Sequence, residues 1–303
     1  MHRTCDTGRM LDPRLPHLPQ DWSVWAFSDA HGVTSALTSA LQQAGLIDEE
    51  RRWIAPPGTA LVGCGDYIDR GADVRGMVAL LRRLQDEAAA SGGAVVLARG
   101  NHEIMPLMVR RGEHEWLETW LEYGGVATAA AYGCDGSGVA QAEQMAATIE
   151  ACAPGFFEWL ESLPQAVRWR DVLFVHGGLA PGFGPDDLGV STEEHLWVRS
   201  GYFDTPWDSG EFERYRAAGI ERVVFGHTPQ WQGPTLFHDG HSLDIDTNAV
   251  GNPSMPDGAA QQLTLVGLGD STSFSDACFI TVDTTDAPDT MRATGDRMPC
   301  RPL

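Results

Sequence analysis

Five short stretches of this chain end apolar runs with groups that bind metal ions. "FSDAHG" carries Asp29 and His31, "CGDYIDRG" carries Asp66, Asp69 and Arg70, and "ARGNHE" carries Asn101 and His102. Further on, "FVHGG" carries His176 and "VFGHTP" carries His227. Carboxylate oxygens and neutral imidazoles suit Mn²⁺, Fe and Zn²⁺, and the lack of thiolates in the set argues against a structural zinc knot. Asp29, His31, Asp66, Asn101, His176 and His227 make six ligands. That is too many for one ion and enough for two if one carboxylate bridges them. Two such ions sit roughly 3.5–4 Å apart, clamp the entering and leaving oxygens of a displacement, and bring the pKa of a bridging water towards neutrality. Arg70 is not needed to hold metal, but its planar, always-charged fork fits phosphate oxygens. The neighbouring glycines permit tight turns and close backbone approach. One strand-end histidine alone is more often structural; the conjunction of all five stretches is what points to chemistry.

The elements that must position these groups follow a rhythm. "SVWAFSD" reads as a buried strand, "VTSALTSALQQAGL" has helical spacing, and "ALVGCGD", "VRGMVALLRRLQDEAAA" and "GAVVLARGN" repeat strand, helix, strand. This alternation predicts a mostly parallel sheet with right-handed crossovers. Ligands bind just beyond the carboxyl ends of strands in such sheets, which is where the five stretches fall. From 104 to 163 the pattern turns helical and Gly-broken, and reads as an insertion over one end of the sheet. Strands resume at "AVRW", "VLFVHGG" and "RVVFGHTP", with a helix "GEFERYRAAGI" between them. "PTLFHDGHSLDID" predicts a hairpin turning at Asp239-Gly240. "QQLTLVGL" and "CFITVD" complete a β-rich last third.

The bulk properties narrow the field. A chain of 303 residues fits one large α/β domain or two small ones. The expected division is an irregular arm over 1–22, a single domain over 23–283, and a polar tail over 284–303. A formal net charge of −21 repels phosphate backbones and disfavours nucleic acid as a partner. It does not forbid a local anion site, because metal ions invert the field around them. No apolar run approaches the roughly 18 residues of a membrane span. The six cysteines form no CxxC pair and read as reduced thiols of a cytoplasmic protein, Cys64 being a small core residue.

Taken in order, "SDAHG", "GDYIDRG", "GNHE", "HGG" and "GHTP" resemble the motifs of calcineurin-like metallophosphoesterases, in particular the phosphoprotein phosphatase type. The resemblance covers roughly residues 24 to 250. Pro229 stands where the phosphodiesterase type has a second histidine, which favours the phosphatase type. The resemblance implies an α/β fold of four layers (αββα), with two mixed β-sheets flanked by helices. It implies that Asp29 and His31 hold a first divalent ion, Asp66 bridges, and Asn101, His176 and His227 hold a second. Mn²⁺ comes first, with Fe or Zn²⁺ as alternatives. His102 would be the general acid at the leaving oxygen, oriented by Asp69. Arg70, Arg199 and Asn101 would bind substrate, a surface ion pair being the alternative role of Arg199. The implied reaction is in-line attack of a metal-bridging hydroxide on a phosphomonoester.

This sequence departs from the family pattern at Ser28, where Gly is usual, and at "IDTNAVGN". There Asn248 can adopt the left-handed conformation that Gly normally supplies. Asp246 either supports the ligands from behind or caps a turn. The insertion and the run from 250 to 283 differ from the eukaryotic enzymes and suggest a bacterial branch. Phosphoserine or phosphothreonine of a protein is the first substrate expected. A small phosphorylated metabolite or a dinucleoside polyphosphate is the alternative. A non-catalytic phosphate-binding module is the rival from another class, but it would be marked by a missing ligand, and none is missing. Glu103 is expected to fix the turn. His114, His195, His238 and His241 read as solvated or capping residues. Trp116, Trp120 and Trp231 read as core packing or as pocket walls.

Overall fold

A computed structural model describes residues 15–134, 142–188, 194–252, 255–256, 258–268 and 272–288. Its strands are β1 (His17–Leu18), β2 (Ser23–Phe27), β3 (Thr59–Gly63), β4 (Ala94–Leu97), β5 (Ala166–Trp169), β6 (Val172–Val175), β7 (Arg222–Phe225), β8 (Thr235–Phe237), β9 (Ser242–Asp244), β10 (Gln262–Leu268) and β11 (Cys278–Asp283). They form a five-stranded sheet in the order β11-β10-β2-β3-β4 and a six-stranded sheet in the order β1-β5-β6-β7-β9-β8. Both sheets are mixed. The triplets β2-β3-β4 and β6-β7-β9 run parallel within them, so their carboxyl ends open on common edges.

The period of two along the strands explains the layering. Val24, Ala26, Ala60 and Val62 face the other sheet and pack with Val172, Phe174, Val224 and Leu243. Phe27 and Leu61 point the opposite way, into a helical layer. That layer contains α1 (Thr34–Gln43) and α2 (Val74–Ala90), which cross between the parallel strands. In α2 the buried Met77, Leu80, Leu81, Leu84 and Ala88 recur every three or four residues, and the Asp73 carboxylate caps the first turn by accepting the Gly76 N–H at 3.0 Å. On the far side, Leu173, Val175, Val223 and Phe225 of the six-stranded sheet pack under Tyr202, Phe212 and Tyr215. Two mixed sheets flanked by helices result.

The predominantly helical stretch contains α3 (Asn101–Arg110), α4 (Glu115–Trp120), a π-helical turn (Leu121–Gly125), α5 (Val126–Ala131), α6 (Ala142–Cys152) and α7 (Phe156–Ser162). Its buried Leu117, Trp120, Ile149, Phe156 and Leu160 join the cluster under α1 and α2. After it come the short α8 (Glu194–Trp197), α9 (Ser200–Phe203) and α10 (Glu213–Ala217).

Several local expectations are corrected. The N-terminal arm is not wholly irregular, because β1 adds to β5 in parallel; residues 1–14 lie outside the described residues. The β8–β9 hairpin pairs Phe237 with Ser242, so four residues close it rather than two, with His238 and Asp239 both left-handed at φ 52 and 54. The tail begins tied down, Thr284 being buried and donating to the Ala249 carbonyl at 2.7 Å; residues 289–303 lie outside the described residues. Cys152 is disulfide-bonded, against the expectation of six reduced thiols, while Cys64 and Cys278 are free thiols. Among the described residues no helix is long and apolar enough to cross a membrane.

Candidate active site

Three of the parallel strands are followed by left-handed non-glycine residues. Asp29 (φ 51) and His31 (φ 40) follow β2; Asp66 (φ 58), Asp69 (φ 70) and Arg70 (φ 62) follow β3; His227 (φ 69) follows β7. Left-handed non-glycine residues are uncommon and persist where surrounding contacts over-determine them. Here the turns brace one another: the Asp29 N–H donates to the Gly65 carbonyl at 3.1 Å and the His31 N–H to the Asp66 carbonyl at 2.9 Å. Gly65 (φ 104) cannot be replaced without strain, since a Cβ there would lie 2.7 Å from the Gly100 backbone and from His176 Nδ1.

Glu103 fixes the largest of these turns, as its place after His102 suggested. Its buried carboxylate accepts the N–H groups of Gly100 (2.8 Å), Asp66 (2.9 Å) and Tyr67 (2.8 Å). Burial and the neighbouring Asp66 charge push its pKa up to about 7.

Asp66 lies at the centre of the site. One of its oxygens is 3.5 Å from His31 Nε2 and the other is 3.3 Å from His176 Nε2. Both imidazoles use Nδ1 on backbone carbonyls, His31 on Ile68 at 2.8 Å and His176 on Cys64 at 2.9 Å. A carbonyl only accepts, so Nδ1 carries the proton and Nε2 is turned towards Asp66. Donor atoms of His31, Asp66 and His102 lie within 4.8 Å of one another, and so do those of Asp66, His176 and His227. Two potential metal groups therefore share one carboxylate.

The cluster fits divalent cations on three counts. Nε2 of His31 and Nε2 of His227 are buried without a hydrogen-bond partner, which is costly unless something is to be bound. Burial, with Arg70 for His31 and His176 for His227, holds both rings well below the usual imidazole pKa, so they are neutral donors. Burial opposes charge on His176, yet Asp66 and Asp29 push its pKa up to about 9. The carboxylates thus call for positive charge among them.

The other candidate ligands brace this core. Asn101 Oδ1 lies 2.8 Å from His176 Nε2 and 3.0 Å from His227 Nδ1. Asp29 lies outside both metal groups. Its carboxylate accepts the His227 N–H at 2.9 Å and a short bond from the Ser28 hydroxyl, which makes use of the side chain that departs from the family pattern.

His102, grouped by distance with His31 and Asp66, has both nitrogens engaged elsewhere. Nδ1 lies 2.7 Å from Asp69 Oδ2, and Nε2 lies 3.0 Å from the Arg70 guanidinium. The Asp69 carboxylate in turn accepts the Trp120 indole N–H at 3.0 and 3.1 Å and the Thr128 hydroxyl. Thr128 has no place in any motif, and for Trp120 packing or a pocket wall was the expectation. Neither residue's link to Asp69 has a local sequence signal, because the partners are 59 and 51 positions away.

Arg199 is exposed and donates to the Thr228 hydroxyl at 3.1 Å, next to His227. Asp246 takes the turn-capping role of the two expected of it. It accepts the N–H of left-handed Asn248 (φ 66) at 3.0 Å, and burial with the nearby Asp29 charge pushes its pKa well up. His195, expected in a solvated or capping role, is instead fully buried, with Nδ1 accepting the Ala180 N–H at 3.1 Å. Trp231 is 48% exposed.

An αββα sandwich with this His/Asp cluster at its strand ends defines the class. The profile of the Calcineurin-like phosphoesterase family matches residues 23–244, and the chain belongs to that family of hydrolases. The family implies divalent metal ions, with which the cluster is compatible. Among individual proteins, the chain is 33% identical over 104 residues to Shewanella-like protein phosphatase 2 of Arabidopsis thaliana. That match covers 32% of this chain and 26% of the plant protein, about a quarter of its length. A cold-active protein tyrosine phosphatase superposes with a TM-score of 0.57 at 19% identity, covering 86% of this chain and 79% of its own. A protein serine/threonine phosphatase of Saccharomyces cerevisiae superposes with a TM-score of 0.57 at 15% identity, covering 91% and 86%. At these identities the two structures establish the shared fold.

Proposed function

We propose that this phosphoesterase hydrolyses phosphomonoesters, first of all phosphoserine and phosphothreonine in proteins, with two divalent ions, Mn²⁺ foremost, held around Asp66. The observation that carries the reading is the position of Asp66 between His31 Nε2 and His176 Nε2, 3.5 and 3.3 Å away, as the member common to both potential metal groups. Asp29 and His31 would complete one side, and Asn101, His176 and His227 the other. When bound, such a pair supplies Lewis acidity and a water acidic enough to serve as nucleophile near neutral pH.

The chain's own residues do the rest. Arg70 and Arg199 take the phosphoryl oxygens, with Asn101 beside them, and offset charge that spreads over those oxygens in the transition state. Asp69 accepts from Nδ1–H of His102, which fixes the ring; Nε2 accepts from the Arg70 guanidinium here and would carry the proton for the leaving oxygen once Arg70 turns to phosphate. The 3.0 Å contact between Arg70 and Nε2 sets phosphate binding and proton delivery side by side. Residues 23–283 act as one catalytic domain, with the 104–163 insertion covering the His102 side. The protein-phosphatase names of the Arabidopsis and yeast relatives support a phosphoprotein substrate.

A second reading, phosphotyrosine, is favoured by an aromatic wall. Trp197 stands edge-on to His227 at 6.0 Å and to the exposed Tyr123 at 5.8 Å, and the Tyr123 carbonyl accepts from Arg70 Nε at 3.2 Å. The deciding experiment offers the Mn²⁺-loaded protein phosphoserine, phosphothreonine and phosphotyrosine peptides beside a dinucleoside tetraphosphate. Phosphate release from the serine and threonine peptides is expected. Preference for the tyrosine peptide selects the second reading. Cleavage of the dinucleotide alone overturns both.

A further inference from the structure

We infer that Trp120 and Thr128, from the helical insertion, are positioning residues that hold Asp69 so that His102 can deliver its proton. The inference rests on the proton-donor reading of His102 given above. Asp69 is fully buried. A buried carboxylate needs several donors, and here they are His102 Nδ1, the Trp120 indole N–H and the Thr128 hydroxyl. Thr128 also accepts the Asp69 backbone N–H at 3.0 Å, which directs the hydroxyl proton towards the carboxylate. Trp120 and Thr128 are themselves buried, at 1% and 0% exposure. With every oxygen engaged, the carboxylate cannot rotate, and the His102 ring plane is fixed with it.

The sequence between the two residues is shaped for this. The segment Leu121–Gly125, kinked at the non-helical Gly124 (φ 110, ψ 6), joins α4 to α5, and Trp120 and Thr128 on either side of it reach the same carboxylate. The segment also grips Arg70, whose backbone N–H donates to the Gly124 carbonyl at 3.1 Å. Gly124 (φ 110) is required there, because a Cβ would lie 2.6 Å from Arg70 Cγ. At Gly125 a Cβ would lie 2.6 Å from the Trp120 ring. One nine-residue stretch, 120–128, therefore sets both the proton donor's anchor and the adjacent arginine.

The test compares Trp120→Phe, which keeps the ring and deletes the N–H, with Thr128→Val, which keeps the shape and deletes the hydroxyl. The kcat and KM of both are measured in Mn²⁺-loaded protein on phenyl phosphate, a poor leaving group, and p-nitrophenyl phosphate, a good one, beside His102→Asn. Each variant is expected to lower kcat on phenyl phosphate about tenfold, the effect of one lost hydrogen bond to a charged group. Little change is expected in KM or on p-nitrophenyl phosphate, and no further loss when either is combined with His102→Asn. Equal losses on both substrates, or full additivity with His102→Asn, would overturn the inference. If His102→Asn is selective for the poor leaving group while the two variants are not, this inference alone fails. If His102→Asn shows no selectivity, the proton-donor reading fails and takes the inference with it. Should Trp120→Phe not fold, Thr128→Val decides by the same criteria.

Discussion

His102 Nδ1 stands 2.7 Å from Asp69 Oδ2, and both side chains are fully buried. The contact separates His102 from the histidines around it. His31 and His176 give Nδ1 to backbone carbonyls and aim Nε2 at Asp66, whereas His102 gives Nδ1 to a carboxylate and turns Nε2 to Arg70. A ring tied to a carboxylate on one side and facing a guanidinium on the other is the arrangement on which the proposed proton-donor role of His102 rests.

Replacing His102 with asparagine should leave bound metal unchanged, as read by elemental analysis. The kcat for alkyl and unsubstituted aryl phosphates should fall by about 10²–10⁴-fold, the usual contribution of general acid catalysis. Loss of metal in this variant would make His102 a ligand instead.

Glu103→Ala should destabilise the protein without touching any proposed reacting group. The backbone N–H groups of Gly100, Asp66 and Tyr67 lose their buried acceptor, and unsatisfied donors of this kind cost about 1–3 kcal/mol each. Denaturant unfolding should show a loss of about 3 kcal/mol or more. Because the turn carries Asp66, Mn²⁺ affinity should weaken as well. Unchanged unfolding would mean that water replaces the carboxylate.

His195 predicts an acid-sensitive fold. Burial pushes its pKa down to about 4 from an ordinary 6.5, with Glu194 and Asp187 opposing the shift weakly. The unfolded chain therefore binds a proton between those values and the folded chain does not. The stabilisation is complete above about pH 6.5 and disappears as the pH falls to about 4, and it is worth about 3 kcal/mol at most. Melting curves from pH 7 to pH 4.5 should fall more steeply for the parent than for His195→Gln. Parallel curves would show that His195 is not kept neutral by the fold.

The parts of this fold and site legible in the sequence are those encoded locally. Helix α2 follows from the spacing of Met77, Leu80, Leu81 and Leu84, and the strand ends are visible because apolar runs break off at Asp29, Asp66 and His227. What stayed hidden depends on contacts between distant segments. Two residues, His17 and Leu18, form a strand only because β5 offers them an edge. His195 looks polar in its local context but is enclosed by Phe183 and Tyr215. The wider hairpin loop reflects the left-handed His238, a residue type that gives no turn signal of its own. Trp120 and Thr128 reach Asp69 across more than fifty positions, and no pattern near either residue announces it.

Asp66, common to both potential metal groups, is proposed as the shared ligand of two catalytic metal ions. The most direct test of this role is a Mn²⁺ titration of chelator-stripped protein, following ions bound per chain and p-nitrophenyl phosphate hydrolysis together, in the parent and in Asp66→Asn. Turnover in the parent should rise with the binding of two ions, and Asp66→Asn should lose both binding and turnover. Full turnover in stripped protein, or an Asp66→Asn variant that binds Mn²⁺ and works like the parent, would contradict that role.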